Sequence, residues 1–104
     1  MPRPKIARQI CGRPANSCFK PNGRPMHQLE QVTLDADEFE ALRLVDLQGM
    51  QQQEAALAMG VSRQTLANIL KKGRYKLVDC LSMGKALLMQ SAEPGQETSG
   101  EEPQ

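Results

Sequence analysis

The stretch QQEAALAMGVSRQTLANIL, residues 52–70, decides how this chain is read. Its first eight residues are strong helix formers. Gly60 follows, a residue that adopts a left-handed conformation without steric cost and so ends a helix in a tight turn. Ser62 then stands where an N-cap belongs, its hydroxyl able to accept from backbone N–H groups of the next helix's first turn. The pattern is helix, short turn, helix. For two helices to cross closely the middle of the first must be small, and Ala56 is. Ala55, Met59, Val61, Leu66 and Ile69 occupy the positions that should be buried, while Gln52, Arg63, Gln64 and Asn68 occupy those that should face outward. A plain helical hairpin also uses a glycine turn. It has no need, however, for Arg63, Gln64, Thr65 and Asn68 at one helix start followed by Lys71, Lys72 and Arg74. The helix-turn-helix reading implies binding to double-stranded DNA.

Outward from this stretch the chain divides by charge. Its 104 residues carry a net charge of only +1, yet residues 1–29 hold six bases and no acid. Residues 30–54 hold seven acids against Arg43 alone, and residues 55–90 hold six bases against Asp79. Two basic segments in a nearly neutral protein point to a localised polyanion-binding surface. Aromatic residues make up 3%, so the core must be aliphatic, which favours helices over a β-sandwich. No apolar run approaches the roughly 20 residues of a membrane span and no signal-peptide pattern opens the chain, which places it in the cytoplasm, away from membranes.

The expected architecture is mainly α: a trihelical helix-turn-helix domain over 29–90, an irregular basic arm over 1–28 and a disordered acidic tail over 91–104. Five prolines and two glycines in the first 25 residues forbid a long helix there. HQLEQVTL offers a short strand through Leu29, Val32 and Leu34. DADEFEALRLVDLQG reads as one helix, with Asp35 as N-cap, Glu38 completing a capping box, Leu34 and Phe39 in the hydrophobic-staple positions, and Gly49 at its end. The second helix of the opening stretch runs from about Arg63 toward Leu81. MGKALLMQ is a short apolar element, helix or strand.

Group chemistry assigns roles. The N-terminal end of a recognition helix enters the major groove. There Arg63 donates two hydrogen bonds to guanine, Gln64 or Asn68 pairs with adenine, and Thr65 offers a methyl group or a hydroxyl. Lys71, Lys72, Arg74 and Lys76, with Gln52 and Ser62 near the helix starts and Arg3, Lys5 and Arg8 of the arm, are the expected phosphate contacts, which position a protein without reading sequence. The apolar Leu77, Val78, Leu81, Leu87, Leu88 and Met89 exceed what so small a domain buries, and this predicts a homodimer. HQLEQVTL and KALLMQ are placed to pair as strands between its copies; the competing arrangement folds MGKALLMQ back onto the first helix of its own chain to close a monomeric core.

Two other functional classes stay open. One is a protein-binding adaptor that touches the transcription machinery through the acidic first helix. The other is a metal or thiol sensor built on Cys11, Cys18, Cys80 and His27. Cys11 and Cys18 are six residues apart rather than the two to four of usual zinc pairs, so three free thiols are the plainer reading and neither metal nor cofactor is assigned. His27 has no partner and no nucleophile or phosphate-loop signature appears, so no enzyme is read.

The chain also resembles an uncharacterised prokaryotic family of small predicted DNA-binding proteins whose helix-turn-helix is similar to region four of bacterial sigma factors. The resemblance rests on Arg3, Pro4, Pro14, Phe19, Pro21 and Gly23, then DEFEALRLVDLQG, QQEAALAMGVSRQTLANIL, RYKLVDCL and GKAL. It covers most of residues 1–90. It implies a trihelical DNA-binding domain and a role in transcription regulation, with RNA polymerase as a further candidate partner. Some relatives are joined to, or accompany, nitrogenase-cofactor-type metal domains, for which these 104 residues leave no room. Gly73 departs from the family pattern, where alanine is expected. At about 1 kcal/mol relative to alanine it should weaken the helix enough to bend or fray it.

Overall fold

The computed structural model describes residues 17–90. Arg3, Lys5, Arg8 and Cys11 of the arm, and the acidic tail from residue 91, lie outside the described residues. In chain order the elements are β1 (Cys18–Phe19), a 3₁₀ turn (Met26–Gln28), β2 (Gln31–Leu34), α1 (Ala36–Leu42), a π-helical turn (Arg43–Leu47), α2 (Gln52–Met59), α3 (Arg63–Met83) and β3 (Ala86–Met89). The fold is mainly α, with a small sheet.

Local signals place the helix starts. Glu38 Oε1 accepts the Asp35 N–H at 2.8 Å at the head of α1, and Glu54 Oε1 accepts the Gln51 N–H at 3.1 Å at the head of α2. Each satisfies one backbone donor that the first helical turn leaves orphaned. The helix read through to Gly49 does not stay α-helical. Past Leu42 it widens into the π-turn, in which the Gln48 N–H donates to Arg43 O at 2.9 Å. The extra residue in that turn rotates the side chains after it relative to α1: Leu44 is buried, while Asp46 and Leu47 face solvent.

The sheet combines the strand expected in HQLEQVTL, the ALLM segment read as helix or strand, and two residues of the arm expected to be irregular, in the order β1-β3-β2. β3 is central. It pairs parallel with β2, Val32 opposite Leu87 and Leu34 opposite Met89, and antiparallel with β1, Phe19 opposite Leu87. The arm is therefore not irregular to its end, since Cys18–Phe19 is a strand. A parallel pair needs a long crossover, and here that crossover is the whole helical part of the chain. The strand-forming segments pair within one chain, and β3 takes its place between β2 and β1 rather than in a second copy or on the first helix.

The core lies between the sheet and the three helices: Leu34, Ala41, Leu44, Ala55, Met59, Leu66, Leu70 and Leu87 are buried. Full burial of side chains such as Met59, Leu66 and Leu70 contributes about 1.5–3 kcal/mol each. Gly73 belongs to this packing. The helix runs through it without a break, and a Cβ there would stand 3.1 Å from Leu42 Cδ1 and 3.4 Å from Glu38 Cβ. The helix does not fray at Gly73: the missing side chain lets α3 close against α1, and that contact offsets the propensity cost.

Lys76 fastens the same contact. Its Nζ donates to Glu38 Oε1 at 2.7 Å and to the Thr33 carbonyl at 2.7 Å, with Asp35 Oδ2 at 3.9 Å. Glu40, also buried, receives both Arg43 Nε and Nη2, at 3.1 and 2.9 Å.

Candidate nucleic-acid interface

The turn between α2 and α3 is three residues long. Gly60 sits at φ +70°, ψ 33°, a region costly for a residue with a Cβ. The Val61 N–H reaches back to Ala56 O at 3.0 Å and the Gly60 N–H to Leu57 O at 3.2 Å, which satisfies the last carbonyls of α2. Ser62 Oγ accepts the Thr65 N–H at 3.0 Å and its hydroxyl reaches Thr65 Oγ1 at 3.0 Å. Ser62 is thus the N-cap of α3, and the cap holds Thr65, which is half-buried. Ala55, Ala56, Met59, Leu66 and Ile69 are buried and Val61 half-buried, so α3 rests on α2 through the face that the sequence pattern indicated.

What α3 leaves outward is polar and basic. Arg63, Gln64, Asn68, Lys71 and Lys72 are exposed. Gln64 Nε2 donates to Asn68 Oδ1 at 3.2 Å across one helical turn, which orders the two amides side by side. Arg63, Lys71 and Lys72 make no ion pair with another described residue. Beside Arg63 an open recess of about 490 Å³ is lined by Met50, Gln51, Gln52 and Gln53. Gln52 is half-buried at its edge and Gln53 exposed.

Two of the expected phosphate contacts are otherwise engaged. Lys76 is held among Glu38, Asp35 and Thr33 on the α1 side. Arg74 forms a two-pronged pair with Asp46, Nη2 to Oδ1 at 2.8 Å and Nε to Oδ2 at 3.1 Å. That hydrogen bonding holds the Asp46 carboxyl below its ordinary range and raises Arg74. The candidate residues that the fold leaves together on this surface are therefore Arg63, Gln64, Thr65, Asn68, Lys71 and Lys72, with Ser62 and Gln52 at the helix starts.

Sequence reading passed over one further candidate on this face. Tyr75 is exposed and lies four residues beyond Lys71, seven beyond Asn68 and eleven beyond Gln64, spacings that share a helix face. The signal was present in that periodicity. A phenol there offers a hydroxyl to a phosphate oxygen two turns past the amide pair.

Other candidate chemistry has less support from the fold. Burial pushes the Cys80 thiol up, with Asp79 acting in the same direction, and burial of this kind makes a thiol inert. Among the described residues no group of three or more His, Cys, Asp or Glu side chains is arranged to hold a metal ion, and no helix is long and apolar enough to cross a membrane.

Residues 1–96 match the family described as protein of unknown function DUF134, and the chain belongs to that family. It is 84% identical over 103 residues to a UPF0251 protein of Aeromonas salmonicida (strain A449), covering 99% of each chain. A UPF0251 protein of Vibrio cholerae (strain ATCC 39315) is 60% identical over 93 residues, 89% of this chain and 95% of the other. A UPF0251 protein of Shewanella piezotolerans is 46% identical over 89 residues, 86% and 89% of the two chains. No solved structure matches.

Proposed function

We propose that this member of the DUF134 family binds double-stranded DNA in a sequence-specific manner and regulates transcription, with α2 and α3 acting as a helix-turn-helix. The observation that carries the reading is the outward start of α3. There Arg63, Gln64 and Asn68 are exposed beside Lys71 and Lys72, which make no ion pair with another described residue, on a helix whose other sides pack against α1 and α2. In this reading α3 enters the major groove by its first two turns. Arg63 and the Gln64–Asn68 pair meet base edges. Lys71, Lys72, Tyr75 and the Ser62–Gln52 corner meet phosphates, with Arg3, Lys5 and Arg8 of the arm following the backbone or an adjacent groove. The binding unit is a homodimer, and the likeness to sigma region four makes RNA polymerase a further candidate partner.

The adaptor alternative relied on the acids of the first helix. Glu38 and Glu40 are buried and paired with Lys76 and Arg43, so much of that charge is engaged internally and this observation favours DNA.

Fluorescence anisotropy with a library-selected duplex tests the proposal. Affinity should fall steeply with salt, because phosphate contacts release counterions. Arg63→Ala should cost about 1–3 kcal/mol at the selected site and relax preference at one base pair. Lys72→Ala should weaken all duplexes alike and flatten the salt slope. Identical behaviour of the two variants on every sequence would refute the division of roles, and salt-independent or absent binding would refute the function.

A further inference from the structure

We infer that a second copy of this chain docks on the outer face of the C-terminal half of α3 and the groove beside it. This deepens the homodimeric part of the reading above and supplies its surface. Val78 and Leu81 are 59% and 85% exposed, although α3 is packed against α1 and α2 along its other sides. Beyond Leu81 lies an open groove of about 680 Å³ whose apolar walls include Phe19, Pro21, Leu77, Leu87 and Met89. The patch is apolar in both knob and hole.

Three features favour a copy of the same chain over another partner. The first is self-complementarity. Leu81 lines the groove and also projects from its rim, so a twofold axis beside it places each Leu81 in the other copy's groove, as an isologous contact requires. The second is charge. Of the two lysines on the groove wall, Lys85 lies 2.9 Å from Asp79 Oδ2 and 3.6 Å from Glu30 Oε1, and Lys20 Nζ donates to the Arg24 carbonyl at 2.6 Å, so neither ammonium is idle and only the Lys20 charge is left without an acid among the described residues. The third is extent. The exposed parts of Phe19, Val78 and Leu81, with the groove walls beside them, come to several hundred Å² per protomer, a substantial share of the ~800 Å² that each side of a standard interface buries.

The placement also suits the proposed DNA reading. Gln64 and Leu81 are separated by about 25 Å along α3 at 1.5 Å per residue. Two copies joined near Leu81 keep both recognition ends free. With crossed helices those ends reach the ~34–36 Å that separates half-sites one turn apart.

Sedimentation equilibrium of the full chain at micromolar concentration tests the inference. The expected mass is twice the 11.5 kDa of one chain. Leu81→Asp should weaken the dimer by about 30-fold or more, as loss of a central anchor does, with an unchanged circular-dichroism spectrum because the side chain is exposed. Val78→Asp should act in the same direction and guards against a local peculiarity of position 81. A wild-type chain that stays at 11.5 kDa, or a dimer that survives both substitutions, overturns the inference. DNA binding reports separately: the Leu81→Asp monomer should keep Arg63-dependent binding to a single half-site. A dimer that binds no DNA would refute the function and leave this surface standing.

Discussion

Replacing Lys76 with Met should destabilise the protein by about 3 kcal/mol and leave the proposed DNA-binding surface intact. The side chain of Glu38 is 4% exposed and that of Lys76 24%, with 2.7 Å between Nζ and Oε1. Breaking a buried ion pair by removing one partner typically costs about 3–5 kcal/mol, because the remaining charge is left without compensation. The lower end applies here. Glu38 keeps the Asp35 N–H at 2.8 Å, and the partial exposure of Lys76 lets some water approach. Met preserves the aliphatic stem, so packing changes little, and the Thr33 carbonyl loses one donor. A loss of that size is a large part of the roughly 5–15 kcal/mol that holds a domain together, and it lowers the thermal midpoint by about 12–24 °C in a domain of this length. Urea unfolding followed by circular dichroism measures it. The double variant Glu38→Gln, Lys76→Met should recover most of the loss, since no buried charge then lacks a partner. A loss under about 1 kcal/mol, with the double variant no better than the single, would refute the reasoning. Lowered DNA affinity at unchanged stability would instead return Lys76 to the phosphate-contacting set where its sequence position put it.

Gly73→Leu should destabilise by at least about 1–3 kcal/mol, as overpacking does, because even a Cβ meets Leu42 Cδ1 at 3.1 Å; a urea midpoint equal to wild type would contradict the close approach of α1 and α3. The Asp46 carboxyl is held below its ordinary range by Arg74. Its pairing therefore stabilises the fold above the unfolded value near ~3.9 and is lost as pH falls through the lower, folded value. Asp46→Asn should accordingly lose less than about 1 kcal/mol at about pH 7, the pair being largely solvent-exposed, and the gap to wild type should close on acidification; a gap that widens would reverse the sign. In a Cys11→Ser background, iodoacetamide at about pH 8 should label Cys18 well before Cys80, whose thiol burial pushes up. Equal labelling rates under native conditions, followed by mass spectrometry, would show that Cys80 is not protected.

The parts of the molecule legible in the sequence are those whose causes lie within a few residues. The Gly60 turn, the Ser62 and Asp35 caps, and the alternation of buried and exposed positions from Ala55 to Lys72 depend on i to i+4 relations that any helix imposes, and the structure places them as the pattern required. The outward set Arg63, Gln64, Asn68, Lys71 and Lys72 was readable for the same reason, as Tyr75 also was. Tertiary structure decided whatever depends on partners far along the chain. Nothing local distinguishes strand from helix in ALLM; the pairing of Val32 with Leu87 across the helical crossover does. Lys76 and Arg74 look like their neighbours Lys71 and Lys72 until Glu38 and Asp46, 38 and 28 residues away, engage them. Gly73 reads as a weak point in a helix and proves to be where α1 touches α3. Propensity and capping act at short range and are written in the order of residues, whereas strand pairing, ion pairing and close approach are selected by the packed core as a whole.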